Sequence, residues 1–384
     1  MKNSFRTTKL VALFLFIIMA LSVVGCSKKT STVENTTAAS VTGGEATTKA
    51  DEPQAREPLK AGEQLKIYTS IYPMYYLTSR IAGDKAQVEN LVPSGVEAHD
   101  WEPNVEDIVK LNEADVLVYN GAGMEHWVED VGASLNNDKL VMIEASKGLD
   151  LIEGGDCCGE EHEDADHHDH EHDHDADEHH DEHHDHDHDA DEHHDHDHEH
   201  GEEGRHHHHH GKWDPHVWLS PVKAKEEAKN IADKLSELDP NNAETFAANY
   251  KALADDLDKL DGEFREGLKD IKSKLLVTNH QAFAYLAKEY GLEQEGITGV
   301  YADQEPSAQR MAEIVDFVKE HGVKVIFAEE ILSPKVSEAI AEASGATVEV
   351  LSPVESLSKE QSDKGDDYLV VMRSNLEALK KALK

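Results

Sequence analysis

Leu65-Lys66-Ile67-Tyr68-Thr69-Ser70-Ile71-Tyr72-Pro73 is the stretch from which the fold can be read. Its first six residues are a short run mixing apolar, β-branched and aromatic side chains, which reads as a strand. Pro73 then fixes φ and lacks an N–H, a combination suited to the first turn of a helix, here over 73–81. The alternation continues with strands expected over 86–92, 116–119 and 140–143, and helices over 105–112 and 126–135. Strands separated by helical stretches of this length imply βαβ units and a parallel sheet.

Beyond residue 211 the chain turns helical. A helix is expected over 221–238, with Pro221 at its start. A longer, charge-rich one without proline follows over 242–271. Thirty helical residues span about 45 Å, enough for a spine between two lobes. The apolar repeat does not persist long enough for a coiled coil. The strand–helix alternation then resumes: strands over 275–278, near 292, over 323–328 and over 347–351, with helices over 282–290, 308–321, 334–344 and from 366. The expected fold is α/β, with two Rossmann-like lobes joined by a long rigid helix. The lobes would cover 63–240 and 273–384, with the helix over 241–272. Ligands of open α/β sheets sit beyond the carboxyl ends of the strands, so the cleft between lobes is the expected site.

The first lobe carries an insert over 159–211. Residues 160–210 hold 22 of the 27 histidines, in units such as Asp175-Ala176-Asp177-Glu178-His179-His180 and Asp189-Ala190-Asp191-Glu192-His193-His194. Neutral imidazole is a borderline-soft donor suited to zinc, copper or nickel, and interleaved carboxylates attract cations. His167, His168, His170, His179, His180, His183, His184, His193 and His194 are therefore candidate ligands of an auxiliary metal loop. The alternative is a solvated low-complexity insert, since so few apolar residues cannot offset the entropy of ordering it. The run His206–His210 resembles an affinity tag, but its place inside a histidine-rich segment reads as natural.

Net charge is −42, and the 23 acids of residues 160–203 account for a little over half of it. The remainder is still acidic. No basic stripe is available to neutralise phosphates, which argues against a nucleic-acid partner and fits attraction of cations. At the N-terminus, Lys2, Arg6 and Lys9 precede an apolar run over 10–24, too short for a comfortable membrane span and laid out as a signal peptide over 1–25. Val23-Val24-Gly25-Cys26 looks like a lipoprotein lipobox. Cys26 would carry the lipid and become the mature N-terminus, with 26–62 as a flexible tether to the folded body. Cys157 and Cys158 are neighbours at the mouth of the insert. A disulfide between them would be strained, so they are either further ligands or free thiols.

Five histidines remain outside the insert: His99, His126, His216, His280 and His321. His126 and His321 sit at expected helix ends and read as structural; at the C-terminal end a cation suits the helix dipole. The other three lie in turn-rich motifs: Gly95-Val96-Glu97-Ala98-His99-Asp100-Trp101-Glu102-Pro103, Trp213-Asp214-Pro215-His216-Val217-Trp218-Leu219-Ser220, and Val277-Thr278-Asn279-His280-Gln281-Ala282-Phe283-Ala284-Tyr285. Taken singly, each reads more readily as a buried or capping residue than as a ligand.

These motifs, in this order, resemble the metal-binding solute-binding proteins of bacterial ABC uptake systems, the cluster A-I group. The segment with Gln304-Glu305-Pro306-Ser307 and the run Val325-Ile326-Phe327-Ala328-Glu329-Glu330-Ile331-Leu332-Ser333-Pro334-Lys335-Val336 extend the resemblance, which covers residues 65–384. It implies that His99, His216 and His280 are metal ligands. It also implies a carboxylate from the segment after the Phe327-Ala328 strand; side chains alternate there, so one of Glu329 and Glu330 should face the cleft, and Glu330 is preferred. Relatives that handle manganese tend to have an Asp where this chain has Ser333 and a Glu where it has His280. Three nitrogens and one oxygen suit tetrahedral zinc. The family's zinc members commonly carry a histidine- and acid-rich insert in this place. The C-terminal lobe lacks the cysteine pair of some Gram-negative relatives, which with the lipobox suggests a Gram-positive envelope.

The function so implied is extracytoplasmic capture of Zn²⁺ as cargo, by a lipid-anchored monomer that delivers it to an ABC permease and its ATPase. Manganese uptake, an envelope zinc buffer and host adhesion are the alternatives for a binding protein. A zinc hydrolase is the enzymatic one, against which stand the absence of a His-Glu-x-x-His motif and of a nucleophile elbow.

Overall fold

The computed structural model describes residues 63–154, 211–301 and 305–384. The expected leader, the expected tether with Cys26, the pair Cys157 and Cys158, and the histidine-rich run with its candidate ligands lie outside these residues.

The first lobe is built from β1 (Leu65–Thr69), α1 (Tyr72–Ala82), β2 (Ala86–Asn90), α2 (Val105–Asn112), β3 (Val116–Tyr119), α3 (Val128–Ser134) and β4 (Val141–Glu144). Its strands are all parallel, in the order β2-β1-β3-β4. Side chains alternate across a strand, and both faces of this sheet are covered. Leu65, Ile67, Val116 and Val118 join the main core, whereas Tyr68 and Leu117 pack on the opposite side with Leu111, Trp127 and Val128.

Two helices follow. α4 (Pro221–Leu238) starts where Ser220 accepts a hydrogen bond from the Lys223 N–H and Pro221 occupies the first turn. It buries Ala224, Ala228, Ile231 and Leu235, one stripe at helical spacing. α5 (Ala243–Leu268) has 26 residues, so it is about 39 Å long, shorter than the sequence suggested. Phe246, Leu253, Leu257, Leu260, Phe264 and Leu268 form its buried stripe. Each such side chain contributes about 1.5–3 kcal/mol relative to exposure. The stripe rests on α1 and α4 of the first lobe and on elements of the second.

The second lobe repeats the plan with β5 (Leu275–Thr278), α6 (Ala284–Tyr290), β6 (Glu293–Gly296), α7 (Ala308–His321), β7 (Val325–Ala328), α8 (Lys335–Ser344) and β8 (Thr347–Val350). Its parallel order, β6-β5-β7-β8, is that of the first sheet. α9 (Lys359–Lys364) and α10 (Tyr368–Ala382) close the chain. The sequence reading ran a single helix from 366. It missed α9, although Ser358 and Gln361 form a capping box there and Gly365 ends it.

The lobes share one hydrophobic core running from Leu65 and Ile67 through Phe246 and Phe264 to Tyr368 and Leu379. Trp218 Nε1 donates to the Pro353 carbonyl at 2.8 Å, and the Gly95 N–H to the Leu357 carbonyl at 2.8 Å. In each sheet the chain leaves the first strand one way and returns on its other side. This places a switch-point crevice beyond the carboxyl ends of β1/β3 and of β5/β7.

Candidate metal centre

Four buried side chains converge in this crevice. His99 comes from the loop after β2, His216 from the segment leading into α4, and His280 from the end of β5. Glu355 comes from the segment after β8. Suitable ligand atoms of the four all lie within 4.8 Å of one another. His216 Nε2 is 3.2 Å from His99 Nε2, 3.3 Å from His280 Nε2 and 3.1 Å from Glu355 Oε1. Glu355 Oε1 is 3.5 Å from both other Nε2 atoms. Zinc–nitrogen and zinc–oxygen distances of about 2.0–2.1 Å give a tetrahedron with edges of about 3.3–3.4 Å. Five of the six edges of this quartet, at 3.1–3.5 Å, therefore lie close to the length that tetrahedral zinc requires.

Backbone structure aims each group. Asp214 Oδ1 accepts from the His216 backbone N–H and lies 2.9 Å from its Nδ1. The next residues form a 3₁₀ turn, Val217–Leu219, that hands the chain to α4. Asn120, just past β3, donates from its side chain to the Pro215 carbonyl at 2.9 Å. Asn120 is held by Glu125, whose carboxylate also accepts from Ser70 and the Gly121 N–H. Burial pushes Glu125 up to about 6, against those hydrogen bonds. His280 Nδ1 lies 2.5 Å from Glu329 Oε1, and its carbonyl accepts from Thr278 Oγ1. The carboxylates on the Nδ1 side of His216 and His280 favour the proton there, leaving Nε2 free to donate its lone pair.

Glu355 follows Val354, a β-branched residue at φ 60°. Such a residue in the left-handed region stores about 1–3 kcal/mol and persists only where its surroundings hold it. Here Asn375 bonds both backbone groups of Ser352, Trp218 holds the Pro353 carbonyl, and the Tyr72 N–H holds that of Glu355.

The electrostatics are those of an anion among imidazoles. Burial alone would raise Glu355, but His99, His216 and His280 outweigh it and hold the carboxyl well below its usual range. Burial alone would lower His280, but Glu329 and Glu355 hold it well above the ordinary imidazole value. His216 is raised in the same way by Asp214 and Glu355. In His99 burial prevails over Glu355 and the value falls.

The structure thus brings together His99, His216 and His280 but not Glu330. Glu330 stands outside the quartet and accepts from Gln361 Nε2 at 2.9 Å. The strand alternation does turn one acid of the pair inward, but it is Glu329, and it is taken up by His280. The fourth member, Glu355, escaped the sequence reading because residues 352–365 were assigned no element. Its signal was an acid lying just past the carboxyl end of a strand, the position the switch-point rule favours. Glu97, Glu329, Glu330, Ser352 and Glu355 line a cavity beside the quartet. Burial and the Glu355 charge push Glu97 up to about 8. His126 and His321 stand apart from the quartet: His126 Nε2 lies 3.5 Å from Glu102, and His321 Nδ1 is 3.0 Å from the Phe317 carbonyl at the end of α7.

Two parallel-sheet lobes with a buried three-histidine, one-carboxylate cluster at their switch points define a solute-binding protein of the metal-handling class. The chain belongs to the family described as zinc-uptake complex component A, periplasmic, which it matches over residues 67–382. It is 43% identical over 322 residues to the high-affinity zinc uptake system protein ZnuA of Bacillus subtilis, covering 84% of this chain and 88% of that one. It is 39% identical over 327 residues to the zinc-binding protein AdcA of Streptococcus pyogenes, 85% of this chain but 57% of that longer protein. The crystal structure of the Zn(II)-bound ZnuA-like domain of Streptococcus pneumoniae AdcA is similar to it with a TM-score of 0.63 at 34% identity, over 84% of this chain and 99% of that domain.

Proposed function

We propose that the protein captures Zn²⁺ outside the membrane and delivers it to an ABC permease and its ATPase, with His99, His216, His280 and Glu355 as the ligands. The observation that carries this reading is the 3.1–3.5 Å spacing of the donor atoms, close to the edge length of a zinc tetrahedron. Membership of the zinc-uptake family and the zinc-binding relatives support it. With a protein carboxylate in the fourth position, no vertex is left for an activated water, so the ion is held as cargo. Three nitrogens and one oxygen favour zinc over manganese. The histidine-rich insert would collect ions weakly and pass them to the quartet, while a lipid on Cys26 would keep the protein at the outer face of the membrane.

The test is zinc titration of the full chain against a strong chelator, beside His216→Ala. The unaltered chain should keep one ion per molecule against the chelator while weaker ions on the insert are stripped. His216→Ala should keep none. A tight ion retained by His216→Ala would place the site elsewhere.

A further inference from the structure

Tyr301 belongs to the second lobe, in the connection between β6 and α7, yet its side chain ends in the first. Its hydroxyl lies 3.1 Å from the carbonyl oxygens of both Gly211 and Trp213, two residues of the segment that leads into Asp214 and His216. That segment is fastened in turn to the end of the β4 connection. Glu153 and Trp213 form an antiparallel bridge, and the Asp214 N–H donates to the Ile152 carbonyl at 2.9 Å. The Tyr301 ring meets His99 edge-on, with centroids 5.6 Å apart and planes at 81°.

The receptacle for the hydroxyl is made by two glycines. A Cβ on Gly211 would lie 2.9 Å from the Tyr301 oxygen, and one on Gly123 would lie 3.1 Å from it. Gly123 also has φ +89°, a conformation that side chains rarely adopt. At neutral pH the phenol keeps its proton and is a hydrogen-bond donor toward these carbonyls. One side chain thus joins a cradle on the first lobe to the face of one member of the quartet.

We infer that Tyr301 is a positioning residue that latches the second lobe over His99 and sets how fast the metal ion enters and leaves the quartet. It does not touch the ion. Its hydroxyl holds the lobes together at the segment bearing His216, while its ring backs the imidazole of His99. The hydroxyl bonds backbone carbonyls and not the ion, so weakening it should raise the open population of the empty and the loaded protein alike. Entry and exit should then quicken together and affinity should change little.

This inference rests on the zinc-capture reading above. The experiment measures zinc association and chelator-driven dissociation by stopped flow on the full chain, with Tyr301→Phe and Gly211→Ala as the variants. The slow, tight phase is identified by its loss in His216→Ala. Tyr301→Phe keeps the ring on His99 and removes the hydroxyl, so both rates should rise about fivefold, the equivalent of one hydrogen bond, with affinity unchanged within about twofold. Gly211→Ala should do the same from the other side, by crowding the hydroxyl out of its cradle. A merely structural role would lower the melting temperature and leave the rates alone. A tight site whose rates are unaltered in Tyr301→Phe overturns the latch and leaves the capture function standing. Failure of the unaltered chain to hold any tight zinc overturns both.

Discussion

Replacing Glu355, Glu329 and Glu330 one at a time by glutamine separates ligand, orienting group and bystander. Each change removes one carboxylate charge and almost no volume, so the outcome depends on where the charge sat. Glu355 Oε1 stands 3.1–3.5 Å from three Nε2 atoms and, as the proposed ligand, would supply the anionic vertex. Glu329 is 2.5 Å from Nδ1 of His280, with both side chains buried. An amide there can rotate its NH₂ toward Nδ1, which drives the imidazole proton to Nε2, where a free lone pair is needed to bind the metal. Loss of such an orienting partner typically costs about 10–100-fold in metal affinity, or about 1.4–2.7 kcal/mol. Glu355→Gln should exceed that range, because it removes a ligand outright. Glu330 is exposed and bonded to Gln361, so its replacement should stay within about twofold. The assay is competition for zinc against a chromophoric chelator, with the visible spectrum of the cobalt-loaded protein reporting tetrahedral geometry. A Glu330→Gln loss equal to that of Glu355→Gln, or larger than that of Glu329→Gln, would refute the assignment.

Three further outcomes follow from the same structure. His280 and His216 are held above the ordinary imidazole value by the carboxylates beside them, so zinc must displace protons to bind. Affinity should therefore fall as pH is lowered from about 7.5 to 5.5, with protons released on binding, and a flat profile would count against it. Glu227 of α4 is fully buried, with neither carboxylate oxygen hydrogen-bonded among the described residues, and burial holds its acid form well above the usual range. The folded chain then keeps a proton that the unfolded chain releases above about pH 4.3, so this group's contribution to stability declines as pH rises from there toward the folded value. Glu227→Gln should raise the melting temperature at pH 8 and leave it nearly unchanged at pH 4, and equal shifts at both would contradict the argument. Phe264 on α5 is fully buried and stacked on Tyr290 at 5.0 Å. Phe264→Ala should cost about 3–5 kcal/mol in chemical denaturation, and a loss under about 1 kcal/mol would show that α5 is not the spine of the shared core.

The sequence by itself determined the elements. Pro73 and Pro221 in first turns, the Ser220 cap and the apolar spacing of Leu253, Leu257, Leu260 and Phe264 are local signals, and the helices formed where those signals lie. The run Val116–Tyr119 could be read because a strand buried on both faces is almost wholly apolar. His99, His216 and His280 were legible through motifs a few residues long, each at or near the end of an element.

Only the tertiary structure brings Glu355 beside the three histidines and separates the two neighbouring acids. Glu329 and Glu330 are neighbours of one chemical type, and only the path of the chain after β7 turns the first toward His280 and the second toward Gln361. Glu355 lies 139 residues from His216 along the chain, and the two meet because both lobes bring strand ends to one crevice. Its aim depends on the backbone of Val354, which is held by Trp218, Asn375 and Tyr72 from distant parts of the chain. No local pattern encodes that, because the energy that maintains it comes from packing between the lobes.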